Sequence, residues 1–340
     1  MVTMQQIADR CGVSRGTVDR ALHHKSGVRE SVAEHIREVA REMGYISLRL
    51  VTQQTKQWRI GIVLHSAHSA FVQTLSELFK DFSERELIPN VTTIVRTMDD
   101  MDVHHQLMLI DELVEIEQID GLALMPLANT LIRDKINVLS EESGIPIVTL
   151  NTDIADANRI AYVGPDNIAS GHAAAALMGM VTQGRGNILP ILGQRTGHYA
   201  DSQRLTGFLD EMRENFPEIH ILHPQCSYSD NQLSERITQR MLESDAELSG
   251  IYITSSGRTG VCRAIEHANL PKKVHVIIHD VTSKNILMVQ KGIVDFIIGQ
   301  DTLTQGTLPI RLLYDYLERH QFPKNRINIT EITVKFRCNV

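Results

Sequence analysis

TMQQIADRCGVSRGTVDRALHHKSGVRESVAEHIREVAREMGY, residues 3–45, reads as three short helices packed on one another. Thr3 and Gln6 have the spacing of a capping box, which predicts a helix over Met4 to Cys11. Gly12 stops it. Ser14 is a good N-cap for a second helix from Arg15 to about His23, so two helices are joined by a Gly-containing turn of a few residues, the helix-turn-helix pattern. A third helix is expected over about Glu30 to Met43, because Val32, Ile36, Val39 and Met43 recur at three- and four-residue steps and Gly44 supplies a left-handed stop. The packed face would be Ile7, Ala8, Val13, Val18, Leu22, Val32, Ile36 and Val39.

The second helix of such a unit enters the major groove of a duplex with its N-terminal residues against base edges. Arg15, Gly16 and Arg20 would project there, with Ser14, Thr17 and Arg29 placed for phosphates; Thr3 and His23 complete the candidate DNA-contacting set. Charge agrees. Residues 1–58 hold nine Lys and Arg against six Asp and Glu, a balance of +3 in a chain of net charge −7, which leaves −10 for the remainder. A basic head on an acidic body meets phosphates with one end only. The bland alternative is a three-helix bundle whose charges are merely solvated.

Residues 45–58 (YISLRLVTQQTKQW) read as a connector. From Arg59 the texture changes to short apolar runs: RIGIVL (59–64), TTIVRT (92–97), GLALM (121–125), IPIVTL (145–150), NILPIL (187–192), GIYIT (250–254), VHVIIH (274–279) and FIIGQ (296–300). Helical stretches lie between them, such as 71–82, 104–116, 168–181, 202–215 and 304–320. Apolar strands alternating with helices imply parallel sheets covered on both faces. Eight or more units over about 280 residues fit two doubly wound lobes better than one sheet.

Ligands of such folds sit beyond the carboxyl ends of strands, and two facing lobes make a cleft. The polar strand-end residues are therefore candidates: His65, His68, Asn151, Asp153, Thr254, Ser255, Asp280 and Gln300. Their carboxylates and amides suit a hydroxyl-rich ligand. The same residues have ordinary readings too: Asp280 as the cap of a helix starting near Ser283, Asn151 and Asp153 as turn formers.

The head resembles the DNA-binding domain of the lactose-repressor (LacI/GalR) family. The match is carried by Ile7, Ala8, Gly12, Val13 and Ser14, then Thr17, Val18 and Arg20, the Val28 turn, and the closing Met43-Gly44-Tyr45. The body is similar to the type I periplasmic sugar-binding-protein fold from Arg59 to about Leu317. That resemblance implies a dimer acting on a palindromic operator, with a sugar-like ligand in the cleft. IPIVTLNTDI with YVGPDN (162–167) resembles the strand-loop-strand of first-lobe contacts, SQRLTGF (202–208) makes Arg204 the clamping arginine, and VIIHD and GQDTLTQG place Asp280 and Gln300. Phe71 matches an aromatic that stacks on a sugar ring, and His198 joins the ligand set. The implied boundaries are a head at 1–46, a hinge at 47–58 and a ligand-binding domain at 59–340, with an N-lobe of about 59–162 plus 296–322 and a C-lobe of about 163–295 plus 323–340.

The chain departs from the family in three places. Ser47 and Leu48 replace the usual Pro-Asn, and Gln54 stands where a Leu normally wedges into the minor groove, so Leu48 or Leu50 is left as a substitute wedge. Thr254-Ser255 replaces a frequent Asn-Asp, and His68 stands for a small amide. Aromatic residues make up 5% of the chain. The ligand is accordingly a less ring-like polyol, an acid sugar or another small polar molecule.

HExxH, GxSxG and GxxxxGK[ST] patterns are absent, and SSGRTG (255–260) lacks the Lys-Ser/Thr of a phosphate loop, so it reads as a helix start. No catalytic residue, cofactor or metal is expected: His65, His68, His104 and His105 lack a supporting ligand motif. Cys11, Cys226, Cys262 and Cys338 read as reduced thiols. No run of 18 apolar residues occurs and MVTMQQIADR lacks an apolar signal core, so no membrane association and a cytoplasmic location are expected. A repressor relieved by an inducer is the first expectation. Corepressor or activator action, or a transport component without a DNA role, are the alternatives.

Overall fold

The computed structural model describes residues 2–22, 25–43, 45, 56–84, 88, 90–194, 199–244, 247–268, 270 and 272–340. The chain divides into two compact units, Met1–Lys56 and Gln57–Val340. His23, Gly44, His198 and the hinge residues Ser47, Leu48, Leu50 and Gln54 lie outside the described residues.

The head is built from α1 (Met4–Cys11), α2 (Arg15–Leu22) and α3 (Glu30–Glu42). The capping box forms as its spacing requires: the Thr3 side chain accepts from the Gln6 amide, and the Gln6 side chain accepts from the Thr3 amide at 2.8 Å. Gly12 closes α1 at φ 65°, a left-handed conformation that glycine adopts without a Cβ clash. Ile7, Ala8, Val18, Ala21, Ala33, Ile36, Val39 and Ala40 form the core. Three alanines join it that the apolar periodicity passes over, because a small side chain suffices where helices meet closely. Val13, Leu22 and Val32 are only partly buried.

The larger unit holds two sheets. The first has strand order β12 (Ile327–Ile329), β5 (Ala161–Gly164), β4 (Ile147–Leu150), β3 (Gly121–Leu124), β1 (Trp58–Leu64), β2 (Val91–Thr97). The second runs β13 (Ile332–Lys335), β11 (Phe296–Gln300), β10 (His275–His279), β9 (Leu248–Ile253), β6 (Gly186–Leu192), β7 (Ile219–Ile221), with the short β8 (Gln225–Cys226) also on β6. All pairings are parallel except β11 with β13. Helices cover both faces. On the first sheet they are α4 (Ala70–Glu84), α5 (Val103–Asp111), α6 (Thr130–Glu141) and α12 (Thr302–Arg319). On the second they are α7 (Asn167–Val181), α8 (Tyr199–Asn215), α9 (Asn231–Ser244), α10 (Arg258–His267) and α11 (Ser283–Gln290). Among the described residues no helix is long and apolar enough to cross a membrane.

Three expectations need correction. Trp58 is not linker: it starts β1, is buried, and its indole N–H donates to Glu318 at 2.6 Å. The lobe boundaries also shift. The chain passes between sheets after Gly164, after Gln300 and between Ile329 and Ile332, so FIIGQ (296–300) belongs to the C-lobe, whereas residues 163–164 and 323–329 belong with the N-lobe. Helix α12, from the same 296–322 stretch, packs on the first sheet's core. The long apolar helix expected over 104–116 is two pieces. After α5, residues Glu112–Ile116 widen into a π-helical turn. This brings Glu112 and Glu117 to one guanidinium, that of Arg96, at 2.9 and 2.8 Å, and leaves Ile116 75% exposed.

Candidate functional site

On the head, Arg15, Gly16, Arg20 and Arg29 are exposed, and so is Ser14. The Ser14 hydroxyl accepts from the Thr17 amide at 3.1 Å and lies 2.9 Å from the Thr17 hydroxyl, so it caps α2, and one O–H of the two hydroxyls remains to donate to solvent or a phosphate. Thr3 spends its side chain on the capping box. Val18 and Ala21 anchor the opposite side of α2 in the core. The helix therefore turns its apolar face inward and its arginine face outward, as groove binding requires.

In the larger unit, a cavity of about 340 Å³ opens where the carboxyl ends of both sheets converge. It is at the small end of the roughly 300–1,000 Å³ range of small-molecule sites. Six of the nine predicted ligand residues line it: His68, Phe71, Asn151, Arg204, Asp280 and Gln300. Asn151 and Asp280 each follow their strand with a positive φ, 61° and 69°, a left-handed turn that Asn and Asp tolerate better than bulkier residues. That turn takes each side chain off its sheet's pleat and into the cavity. Asp280 does not cap α11; Thr282 does.

A hydrogen-bond chain crosses the cavity floor from one lobe to the other. Asn151 donates to Gln305 on α12 at 3.0 Å and to Gln300 at 2.9 Å. Gln300 donates to one oxygen of Asp280 at 2.7 Å, and Arg258 donates to the other at 2.7 Å. Burial by itself would push the Asp280 carboxyl up, but the Arg258 guanidinium, with Arg204 behind it, outweighs burial and holds the carboxyl at about 2. Asp280 is therefore ionised throughout the neutral range.

Arg204 is 4% exposed and fixed from two sides: its Nε donates to Asn167 at 3.0 Å and its Nη1 to the Thr254 carbonyl at 2.7 Å. The R-x-x-G-F motif around it has a physical division of labour. Arg204 faces the cavity. Gly207 lets α8 touch α7, since a Cβ there would lie 2.1 Å from the Ile168 carbonyl oxygen. Phe208 stacks on Tyr252 in the core, with ring centroids 4.3 Å apart. Below Asp280, the fully buried His279 pairs with the Tyr252 hydroxyl at 2.8 Å; burial, reinforced by the Arg204 charge, holds its imidazole well below the usual histidine range.

Two predicted residues do not line the cavity. Arg159 grips both oxygens of Asp153, which also accepts from the Thr149 hydroxyl at 2.7 Å, so Asp153 ties down its own loop. Thr254 is fully buried; its hydroxyl donates to Asp201 at 2.7 Å while its carbonyl holds Arg204, so it positions rather than contacts. Sequence reasoning missed Arg258, Lys284, Asn167 and Asp201. Arg258 had a signal: it opens a helix shortly after a strand end, in the SSGRTG segment that reads as a helix start. Asp201, buried with its second oxygen accepting from the Gly193 and Gln194 amides at 3.1 Å each, sits at an ordinary helical position and had none. Among the described residues no three His, Cys, Asp or Glu side chains converge to hold a metal.

Comparison with known proteins places both units. Residues 60–321 match the Periplasmic binding protein domain family, and residues 3–47 match the bacterial regulatory proteins of the lacI family. The HTH-type transcriptional regulator MalR of Streptococcus pneumoniae is 24% identical over 278 residues, 78% of this chain and 79% of that regulator. The ribose import binding protein RbsB of Haemophilus influenzae is 23% identical over 190 residues; the match covers 56% of this chain and 63% of RbsB, under two thirds of its length. Two solved structures share the fold of the larger unit. An ABC transporter solute-binding protein from Burkholderia graminis in complex with D-arabinose has a TM-score of 0.76 at 20% identity, covering 85% of this chain and 98% of that one. A LacI transcriptional regulator from Bacteroides fragilis has a TM-score of 0.72 at 19% identity, covering 84% and 98%. With a helix that turns its arginine face outward on one unit and a polar cleft between two parallel-sheet lobes in the other, the chain belongs to the periplasmic binding protein domain family and is a transcription regulator whose head matches the lacI family of bacterial regulatory proteins.

Proposed function

We propose that this regulator is a cytoplasmic homodimer that represses transcription by holding a two-fold operator, and that a small sugar or sugar derivative in the cleft changes that hold. The observation carrying the reading is the cavity floor: Asn151 from the N-lobe and Asp280 from the C-lobe meet through Gln300, so a ligand that reorganises those groups acts on both lobes at once. The names of the similar proteins support the ligand class, since one is a ribose import binding protein and another was solved with D-arabinose. Regulation requires that the ligand favour one lobe arrangement over the other, typically by about 1–3 kcal/mol. Ligand that weakens operator binding makes the chain an inducible repressor; ligand that strengthens it makes it a corepressor-dependent one.

The test has two arms. Gel shifts on the promoter region of its own gene should show affinity that falls steeply with salt, as phosphate contacts release counterions. Thermal shifts with a sugar panel should then identify ligands, and Asp280→Ala and Arg204→Ala should abolish the shift while retaining operator binding. Operator binding that is absent removes the regulator reading; ligand responses unchanged in both variants remove the cleft assignment.

A further inference from the structure

We infer, building on the sugar-sensor reading, that the natural ligand is an acidic one: a small polyhydroxylated molecule bearing a carboxylate or phosphate, with its anionic end against the C-lobe wall formed by Arg204, Arg258 and Lys284. The argument is an inventory of donors and acceptors. The wall's one lining carboxylate, Asp280, has both oxygens already engaged by Gln300 and Arg258. The cations around it are not used up. Arg204, nine-tenths buried, places Nε and Nη1 on Asn167 and Thr254, and Nη2 has no partner among the described residues. Arg258 uses Nη1 alone, on Asp280 and the His279 carbonyl, which leaves Nη2 and Nε free among the described residues. Lys284 lines the cavity without a carboxylate partner among the described residues.

Asp201, buried behind this wall, offsets part of the charge, but its oxygens are taken by Thr254, Gly193 and Gln194 and it does not reach the cavity. On the opposite wall the one acid, Asp99, is held by His68. The wall thus offers several unpaired N–H groups against one carboxylate, each of whose oxygens already accepts a donor. A sugar hydroxyl is best satisfied where it can both donate and accept, whereas an ionised carboxylate or phosphate oxygen accepts, so an acid suits this donor-rich wall better. Two further features agree. α10 begins at Gly257, which gives its first turn no side-chain cap, and Ser255, Ser256 and Thr259 present hydroxyls from the same segment. Phe71 is the one phenyl ring among the described lining residues, so a pyranose would lack the second aromatic face that sandwiches a neutral ring.

The test uses the full-length protein with three matched sets: D-galactose and D-ribose; D-galacturonate and D-gluconate; ribose 5-phosphate and glucose 6-phosphate. Inorganic phosphate at equal concentration sets the ionic baseline. Thermal shift and titration calorimetry are expected to show an acid binding above that baseline, more weakly at about 200 mM than at about 50 mM salt. The carboxylate and phosphate arms decide which acid it is. Lys284→Gln, at an exposed position where folding is unaffected, should weaken the acid about three- to tenfold, and Lys284→Arg should restore it. A neutral sugar that binds while its acid does not overturns this inference and leaves the sugar-sensor reading standing. Failure of all three sets to exceed the baseline overturns both.

Discussion

Arg258→Ala isolates the ion pair under the cleft, and its cost can be worked from the geometry. The pair is closely made, 2.7 Å, with side chains only 14% and 9% exposed for Arg258 and Asp280. Together with the Arg204 charge, it outweighs burial and holds the Asp280 carboxyl at about 2 against an ordinary 3.8. At about 1.4 kcal/mol per pKa unit, that difference stabilises the native state by about 2 kcal/mol at neutral pH. Truncating Arg258 removes the larger part of this and leaves a buried carboxylate with Gln300 as its remaining side-chain donor, a change that costs about 3–5 kcal/mol in buried pairs generally. The expected loss at pH 7 is therefore about 2–5 kcal/mol.

The sign with pH follows. A depressed carboxyl contributes stability that is full above its unfolded value of 3.8 and is lost as pH falls through about 2. In the variant, burial is opposed chiefly by the Arg204 charge, so the carboxyl rises from about 2 and the deficit shrinks as pH falls. Urea denaturation followed by circular dichroism at pH 7 and at lower pH measures this, and Asp280→Asn in the Arg258→Ala background should recover most of the loss. A deficit under about 0.5 kcal/mol at pH 7, or single and double variants that simply add, would refute the account of Asp280 as a carboxylate held by Arg258.

Other consequences can be checked separately. Gly207→Ala drives a Cβ to 2.1 Å from the Ile168 carbonyl oxygen, a backbone atom that no rotamer change relieves, so a loss of about 1–3 kcal/mol or more is expected in thermal denaturation; a neutral result would mean α7 and α8 are not in contact there. His279 is buried and held neutral, so the unfolded chain takes a proton that the native state refuses below the ordinary value of 6.5, and stability should decline as pH falls from there. His279→Gln should be less pH-sensitive than the parent between pH 7 and 5, and parallel curves would exclude His279 as a source. Thr3→Ala removes the α1 cap and should cost the head about 1 kcal/mol by differential scanning calorimetry. Arg15→Ala should weaken operator binding by about 1–3 kcal/mol if it reads a base; an equal loss on unrelated DNA would reassign it to a phosphate.

The local chemistry of the head was legible from the residues because it is set by neighbours in sequence. Thr3 and Gln6 are three apart, Gly12 ends a turn, and Ser14 starts one, so capping and termination follow without long-range contacts. Strand positions were legible for a similar reason: fully buried parallel strands need continuous apolar runs, and residues directly after them fall at the sheet's carboxyl edge, where Asn151, Asp280 and Gln300 were found. What tertiary structure alone decided was partnership. Asp153 is likewise an aspartate just beyond the end of a strand, yet Arg159 claims it, while Arg258, 22 residues upstream of Asp280, turns that aspartate into part of the cleft. The assignment of residues 296–300 and 327–329 to opposite sheets was likewise invisible, because an apolar strand carries no label for the sheet it will join. That choice depends on long-range pairing: residues 327–329 join a strand formed much earlier in the chain, at 162–164, whereas 296–300 pair with the nearby 277–279 and 332–335.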